Sequence, residues 1–255
     1  MELYEAVALA VAAFVASAIN AVSGGGTLIA FPVLLGVGYS SKVANVTNTV
    51  AIWPGTVGGS WAYRGEISRQ RRTIIAIAIP TVVGAIAGAA LLLSTPDSTF
   101  DLVVPFLILG ACALLFFQDR LTALVFRGGH HNIESGWGRF VLQVGVFSVA
   151  MYGGYFGAAM GIVMLALFGL VLPEDIQHAN ALKGLVAMAV NGLAAVYFGF
   201  FGEVAWSAAA IMAVAALAGG YFGVGFARRL KRERLRVFAV SYGTIAALIL
   251  LSRNF

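Results

Sequence analysis

Long gaps between charged residues constrain this chain more than anything else in it. No Asp, Glu, Lys or Arg occurs between Lys42 and Arg64, Arg72 and Asp97, Asp101 and Asp119, Arg139 and Glu174, Glu203 and Arg228, or Arg236 and Arg253. Most of these windows run to roughly 18 to 25 residues, the length a helix needs to cross a hydrocarbon core. Lipid offers the backbone no hydrogen-bond partner, so apolar windows of this length are committed to closing their own bonds as helices. Composition agrees: the chain is 60% hydrophobic and 11% charged, against about 25% charged for an ordinary soluble domain. The expected fold is an all-α polytopic membrane protein, with the lipid bilayer as its first partner.

The net charge of +5 is gathered in Arg64 to Arg72, Arg120 to Arg139 and Arg228 to Arg236. Short basic segments between apolar windows read as cytoplasmic loops, not as a nucleic-acid surface. The lone Cys112 lies in an apolar run and has no internal disulfide partner, so it reads as packing. The first apolar run follows Glu2 and Glu5 with no Lys or Arg before it, which argues against a cleaved signal peptide.

Shifting the chain by about 135 positions reveals an internal duplication. Gly26 falls on Gly161, Ala44-Asn45 on Ala179-Asn180, Asn48 on Lys183, and Gly84 and Gly88 on Gly219 and Gly223. Each half reads as a Gly-interrupted apolar stretch, a polar-faced helix, a Gly-rich helix and a plain apolar helix. This gives a first membrane repeat over 1–118, a cytoplasmic linker over 119–138 and a second membrane repeat over 139–255.

Charge bears on how the halves are oriented. The loop from Ser94 to Asp101 is acidic, while its counterpart from Arg228 to Arg236 is densely basic, so the two should face opposite sides of the membrane. That requires 139–172 to cross an even number of times, as a re-entrant or V-shaped pair of half-helices turning within Gly153 to Gly157, with Ser23 to Gly26 as the matching turn. The expectation is two inverted repeats, each a broken element plus three spans, with both termini outside. Eight simple spans in two parallel halves is the alternative, and it puts the basic loop on the wrong side.

Two glycine patterns ask for different explanations. Gly84 with Gly88, and Gly219 with Gly223, stand four apart, the spacing that lets helix backbones approach closely. Three consecutive glycines at Gly24, Gly25 and Gly26 cost a helix interior roughly 1 kcal/mol each relative to alanine and read instead as an unwound turn. The half-helix beginning near Thr27 would then point free N–H groups and a positive dipole end into a cavity, and Gly157 to Gly161 would do the same in the second half.

The polar helices carry the sharpest signal. Asn180, Lys183, Ala187 and Asn191 fall on one helical stripe, and Asn45, Asn48, Ile52 and Thr56 hold the matched positions, with Thr49 beside them. Lys183 at mid-bilayer would be disfavoured by about 2.5 to 3.5 kcal/mol unless hydrated or paired. It either meets an anion or snorkels toward Pro173-Glu174-Asp175. The asparagines and threonine would donate hydrogen bonds and Lys183 the balancing charge. His130 and His131 lack the further ligands a zinc site needs, so no metal or cofactor is expected.

Ser23-Gly24-Gly25-Gly26-Thr27-Leu28-Ile29-Ala30-Phe31-Pro32-Val33, followed by Val43-Ala44-Asn45-Val46-Thr47-Asn48-Thr49, closely resembles the first signature of the TauE/SafE sulfite exporter family. Gly161 through Leu172-Pro173 and Ala179-Asn180-Ala181-Leu182-Lys183 resemble a degenerate second signature, its glycine cluster interrupted by Ala158-Ala159-Met160. The resemblance implies a multi-pass protein of a bacterial-type plasma membrane that moves sulfite, thiosulfate, small organosulfonates or carboxylates. The expected function is alternating-access transport of such an anion from a midplane site between the repeats. A gated anion channel or a carrier of carboxylates such as acetate is the alternative. An enzyme is not expected, since no Gly-x-Ser-Gly, His-Glu-x-x-His or apolar-embedded acid pair is present. The particular anion, the direction of transport, the coupling ion and the oligomeric state, a homodimer included, stay open at this level.

Overall fold

A backbone that cannot bond to lipid closes its hydrogen bonds within helices, and in the computed structural model every regular element among the described residues is helical. The structure describes residues 2–22, 25–61, 64–127, 136–172, 176–229 and 232–254. In chain order the elements are α1 (Leu3–Val22), α2 (Thr27–Gly36), α3 (Ser41–Trp61), α4 (Arg64–Arg69), α5 (Arg71–Ser94), α6 (Asp97–Arg127), α7 (Gly136–Tyr155), α8 (Met160–Val171), α9 (Ile176–Phe201), α10 (Trp206–Arg229) and α11 (Arg232–Asn254). Among the described residues α1, α5, α6, α9 and α11 contain stretches long and apolar enough to cross a membrane. At 21 residues α3 has the length, but its first nine residues include Ser41, Lys42, Asn45, Thr47, Asn48 and Thr49.

Each Gly-interrupted stretch is a pair of helices, but not the expected pair of half-helices. The first members, α1 and α7, have 20 residues each and rise roughly 30 Å, the full depth of a hydrocarbon core. The second members, α2 with 10 residues and α8 with 12, rise roughly 15 and 18 Å, about half of a ~30 Å hydrocarbon core. The second break falls later than the glycine cluster suggests. Helix α7 runs through Gly153 and Gly154 to Tyr155, because those glycines are packing surfaces. A methyl group on Gly154 would sit 2.3 Å from the Ala85 carbonyl oxygen, and one on Gly153 2.1 Å from the Met160 sulfur. The chain turns at Gly157, whose φ is +75°, and at Ala159, whose φ is 58°. The Gly157 N–H reaches back to the Tyr152 carbonyl at 3.1 Å, closing the end of α7. An alanine in the left-handed region costs roughly 1 kcal/mol or more, so the turn is held by its surroundings.

Two features of the linkers differ from the sequence reading. Helix α6 continues beyond the last apolar window to Arg127, because charged residues are compatible with a helix once it leaves the bilayer. The expected linker 119–138 therefore begins as helix, and its central part, with His130 and His131, lies outside the described residues. The basic loop after α3 contains the short helix α4, which hydrophobic periodicity gave no reason to expect.

Packing interleaves the two halves of the chain. The most extensive seams join α1 to α10 and α5 to α7, and both are set by glycine. A methyl group on Gly84 would lie 2.5 Å from the Phe147 carbonyl oxygen, on Gly88 2.0 Å from that of Met151, and on Gly219 2.3 Å from that of Phe14. The surroundings of Gly223 lie outside the description. Helices α3 and α9 cross antiparallel, with Trp53 Nε1 donating to the Met188 carbonyl at 3.2 Å and Ser60 Oγ to that of Gly184 at 3.1 Å. Trp53 and Met188 are themselves 135 residues apart. The same offset separates both ends of α5 from those of α10, and the starts of α3 from α9 and α6 from α11. The two broken elements meet where the Phe31 ring of α2 packs edge-on to Phe156, centroids 5.7 Å apart.

Candidate functional site

Both half-helices begin on the wall of one cavity. Gly25 and Thr27 at the start of α2, and Gly157, Ala159, Met160 and Gly161 at the start of α8, line a space of about 90 Å³. Helix α3 contributes Asn48, Thr49, Ile52, Gly55 and Thr56, α9 contributes Lys183, Ala187 and Asn191, α1 contributes Ser17 and Asn20, and Phe156 completes the wall. None of these described lining residues is acidic. Each half-helix N-terminus brings a partial positive charge of about +0.5, although the N–H groups of Leu28, Ile29, Met160 and Ile162 already close onto the carbonyls of Gly25, Gly26, Gly157 and Ala159. Lys183 adds a full charge. The arrangement is electropositive, suited chemically to a small oxyanion.

The residues singled out from the sequence separate into lining and framing roles. Gly25, Thr27, Asn48, Thr49, Gly157, Gly161, Lys183 and Asn191 line the cavity. Asn48 is only 2% exposed, and its side-chain oxygen is buried without a hydrogen-bond partner. Asn45 does not line the space. Its Nδ2 donates to the Tyr155 carbonyl at 2.9 Å, tying α3 to the end of α7. Gly26 packs against α1, where a methyl group would lie 2.1 Å from the Ala16 carbonyl oxygen. Gly24 lies outside the described residues. Thr49 Oγ1 bonds back to the Asn45 carbonyl at 3.0 Å, and Asn191 Nδ2 to that of Ala187 at 2.7 Å, so each spends one donor within its own helix. Asn191 keeps its second amide hydrogen.

Lys183 stands between two spaces. Its stem lies across Gly161, whose added methyl would be 3.4 Å from Lys183 Cδ, and its Nζ donates to Asn180 Oδ1 at 3.1 Å. Both Lys183 and Gly161 also line a second cavity of about 380 Å³ bounded by Gln118, Asp119, Thr122 and Asn180. The snorkelling target, Pro173 to Asp175, lies outside the described residues. At the other end of α3, Lys42 Nζ bonds the Thr95 carbonyl at 2.5 Å and Asp97 Oδ1 at 2.7 Å. Tyr155 OH approaches Thr95 Oγ1 at 3.5 Å, and its ring packs against Phe100.

Ser17 and Asn20 were not singled out from the sequence, although they stand three apart on α1, the spacing of Asn45 and Asn48. Isolated polar residues in a long apolar helix are a weak signal without a repeat to match them. Among the described residues no group of His, Cys, Asp and Glu could hold a metal ion.

The contact between Gly161 and Lys183 leads to a graded expectation. Gly161→Ala meets ordinary van der Waals distance and should transport at close to the wild-type rate. Gly161→Val has no room beside the lysine stem and should lower transport at least tenfold with unchanged membrane abundance. Flux normalised to protein in vesicles checks both, and equal rates for wild type and the valine variant would show that this passage is not used.

The comparisons with known proteins follow the same architecture. Residues 9–250 match the family model described as sulfite exporter TauE/SafE. A "Probable membrane transporter protein" of Haemophilus influenzae is 28% identical over 82% of this chain and 80% of its own length. A "Probable membrane transporter protein ORF9" of Sinorhizobium sp is 26% identical over 86% and 82%. A "Probable membrane transporter protein YfcA" of Escherichia coli K12 is 25% identical over 83% and 76%. No solved structure matches the chain. A family match across nearly the whole length, on a helical membrane architecture, makes this chain a multi-pass membrane transporter belonging to the sulfite exporter TauE/SafE family.

Proposed function

We propose that this transporter carries a small oxyanion, sulfite or a related sulfur oxyanion or organosulfonate, by alternating access through a site in the cavity between α2, α3, α8 and α9. The observation that carries the reading is the convergence of two half-helix N-termini and Lys183 on one polar cavity. A volume of about 90 Å³ is several times the 10–15 Å³ that one water needs on the same kind of measure, so a small oxyanion fits and a bulky one does not.

The repeats are read as inverted. Three observations support this: the 135-residue offset of matched helix ends, the antiparallel crossing of α3 and α9 at residues that are themselves 135 apart, and the paired seams α1–α10 and α5–α7. Two positions of equal rank that touch each other lie on the axis relating their elements. On this reading the end near Lys42 and Asp97 is shut, and the end near Asp119 leads through the larger cavity to Lys183. Exchange of the two conformations between the repeats would open the first and close the second.

A ligand that binds only the folded state stabilises it by about 2.7 kcal/mol at one hundred times its Kd. Purified protein should therefore melt higher in sulfite, thiosulfate or sulfoacetate than in chloride, and Asn48→Ala should lose most of that shift. Sulfate, acetate and phosphate in the same series rank the class. A protein whose melting responds to none of these anions would rule the proposed site out.

A further inference from the structure

A groove away from the transport cavity runs along the seam between α5 and α7, enclosing about 580 Å³. Its mouth holds Arg72 and Arg139 with Gln143 just inside, and its wall includes Ile79, Pro80 and Phe147. Both arginines are exposed and sit in the first turn of their helices, so their charge adds to two positive helix ends. Ile79 is 74% exposed, so the groove opens sideways, toward where lipid lies. From Arg72 to Val83 helix α5 rises roughly 16 Å, which is the depth of one leaflet of a ~30 Å hydrocarbon core.

We propose that this seam binds an anionic glycerophospholipid, its phosphate between Arg72 and Arg139 and one acyl chain along Ile79, Pro80 and Phe147. Two guanidinium groups suit the oxygens of a phosphate, and basic pockets between membrane helices recognise anionic headgroups. The matched seam, between α1 and α10, supplies the contrast. At the 135-residue offset of α5 and α10 Ser207 takes the place of Arg72, and at the 133-residue offset that separates both ends of α1 from those of α7 Ala6 takes that of Arg139. The packing of the seam is repeated while its charge is not, so the arginines are not required to join the helices. They are placed where the chain meets the basic-loop side of the membrane.

The test uses the full chain in detergent, titrated with dioleoyl phosphatidylglycerol or dioleoyl phosphatidylcholine, following melting temperature and lipid retained in native mass spectrometry. The glycerol lipid should raise the melting temperature saturably and remain bound, and the choline lipid should do neither. Arg72→Gln with Arg139→Gln should weaken the apparent affinity roughly thirtyfold, and Arg120→Gln, whose guanidinium lies over the Phe117 ring, should leave it unchanged. Ile79→Trp keeps both arginines and fills the groove, and it should also lose saturable binding. Equal responses to the two lipids, or an unchanged affinity in the arginine pair, would overturn the site. So would wild-type binding by Ile79→Trp, since the arginines would then act only as diffuse surface charge.

Discussion

Lys183→Met is expected to leave the protein folded and inserted while lowering anion transport by between about tenfold and 150-fold. Methionine keeps most of the aliphatic stem that lies across Gly161, so packing changes little. What is lost is the ammonium group, which donates to Asn180 Oδ1 at 3.1 Å and faces both cavities. A hydrogen bond to a charged group contributes about 1.5 to 3 kcal/mol, which sets the range. If the anion is bound there, the loss should appear as a raised half-saturation concentration as well as a lower maximal rate. Melting should change little, because the ammonium stands on two polar cavities where water can take its place at Asn180. Concentration-dependent flux in vesicles, read beside the melting temperature, checks both halves. Wild-type kinetics in Lys183→Met would remove Lys183 from the site, whatever its depth.

The helical architecture was legible because the bilayer makes the rule severe: apolar windows of membrane length have one backbone solution. Polar residues inside those windows are costly enough to be conspicuous, which is why Asn48, Lys183 and Asn191 could be read from spacing alone. What each polar group does was less legible. Asn45 and Asn48 look alike in the sequence, yet one holds the Tyr155 carbonyl and the other lines the cavity. That distinction depends on which neighbour arrives, and stripe periodicity carries no such information. Glycine is ambiguous for a related reason. Gly157 marks a turn because its φ is +75°, whereas Gly153 and Gly154, only a few residues earlier, mark close packing. A missing Cβ serves both purposes, and only the partner backbone decides between them.

Gly84→Ala and Gly219→Ala should each destabilise the fold by about 1 to 3 kcal/mol, the cost of forcing added atoms into a packed seam. At Gly84 the new methyl would lie 2.5 Å from the Phe147 carbonyl oxygen, and at Gly219 2.3 Å from that of Phe14. Both obstacles are backbone atoms of a neighbouring helix, so relief requires shifting α7 against α5 or α1 against α10. Alanine alone is favoured over glycine in a helix by roughly 1 kcal/mol, so the sign at each position depends on space. Gly110 provides the control, since nothing lies within 4 Å of its added methyl, and Gly110→Ala should be neutral or stabilising. Melting in detergent measures all three. The inverted-repeat reading asks for more than two negative signs: seams built alike should lose similar amounts, each to its own alanine. A large loss at Gly84 with none at Gly219 would mean that the seams do not bear the fold equally, and the symmetry proposed for the transport cycle would lose its structural basis.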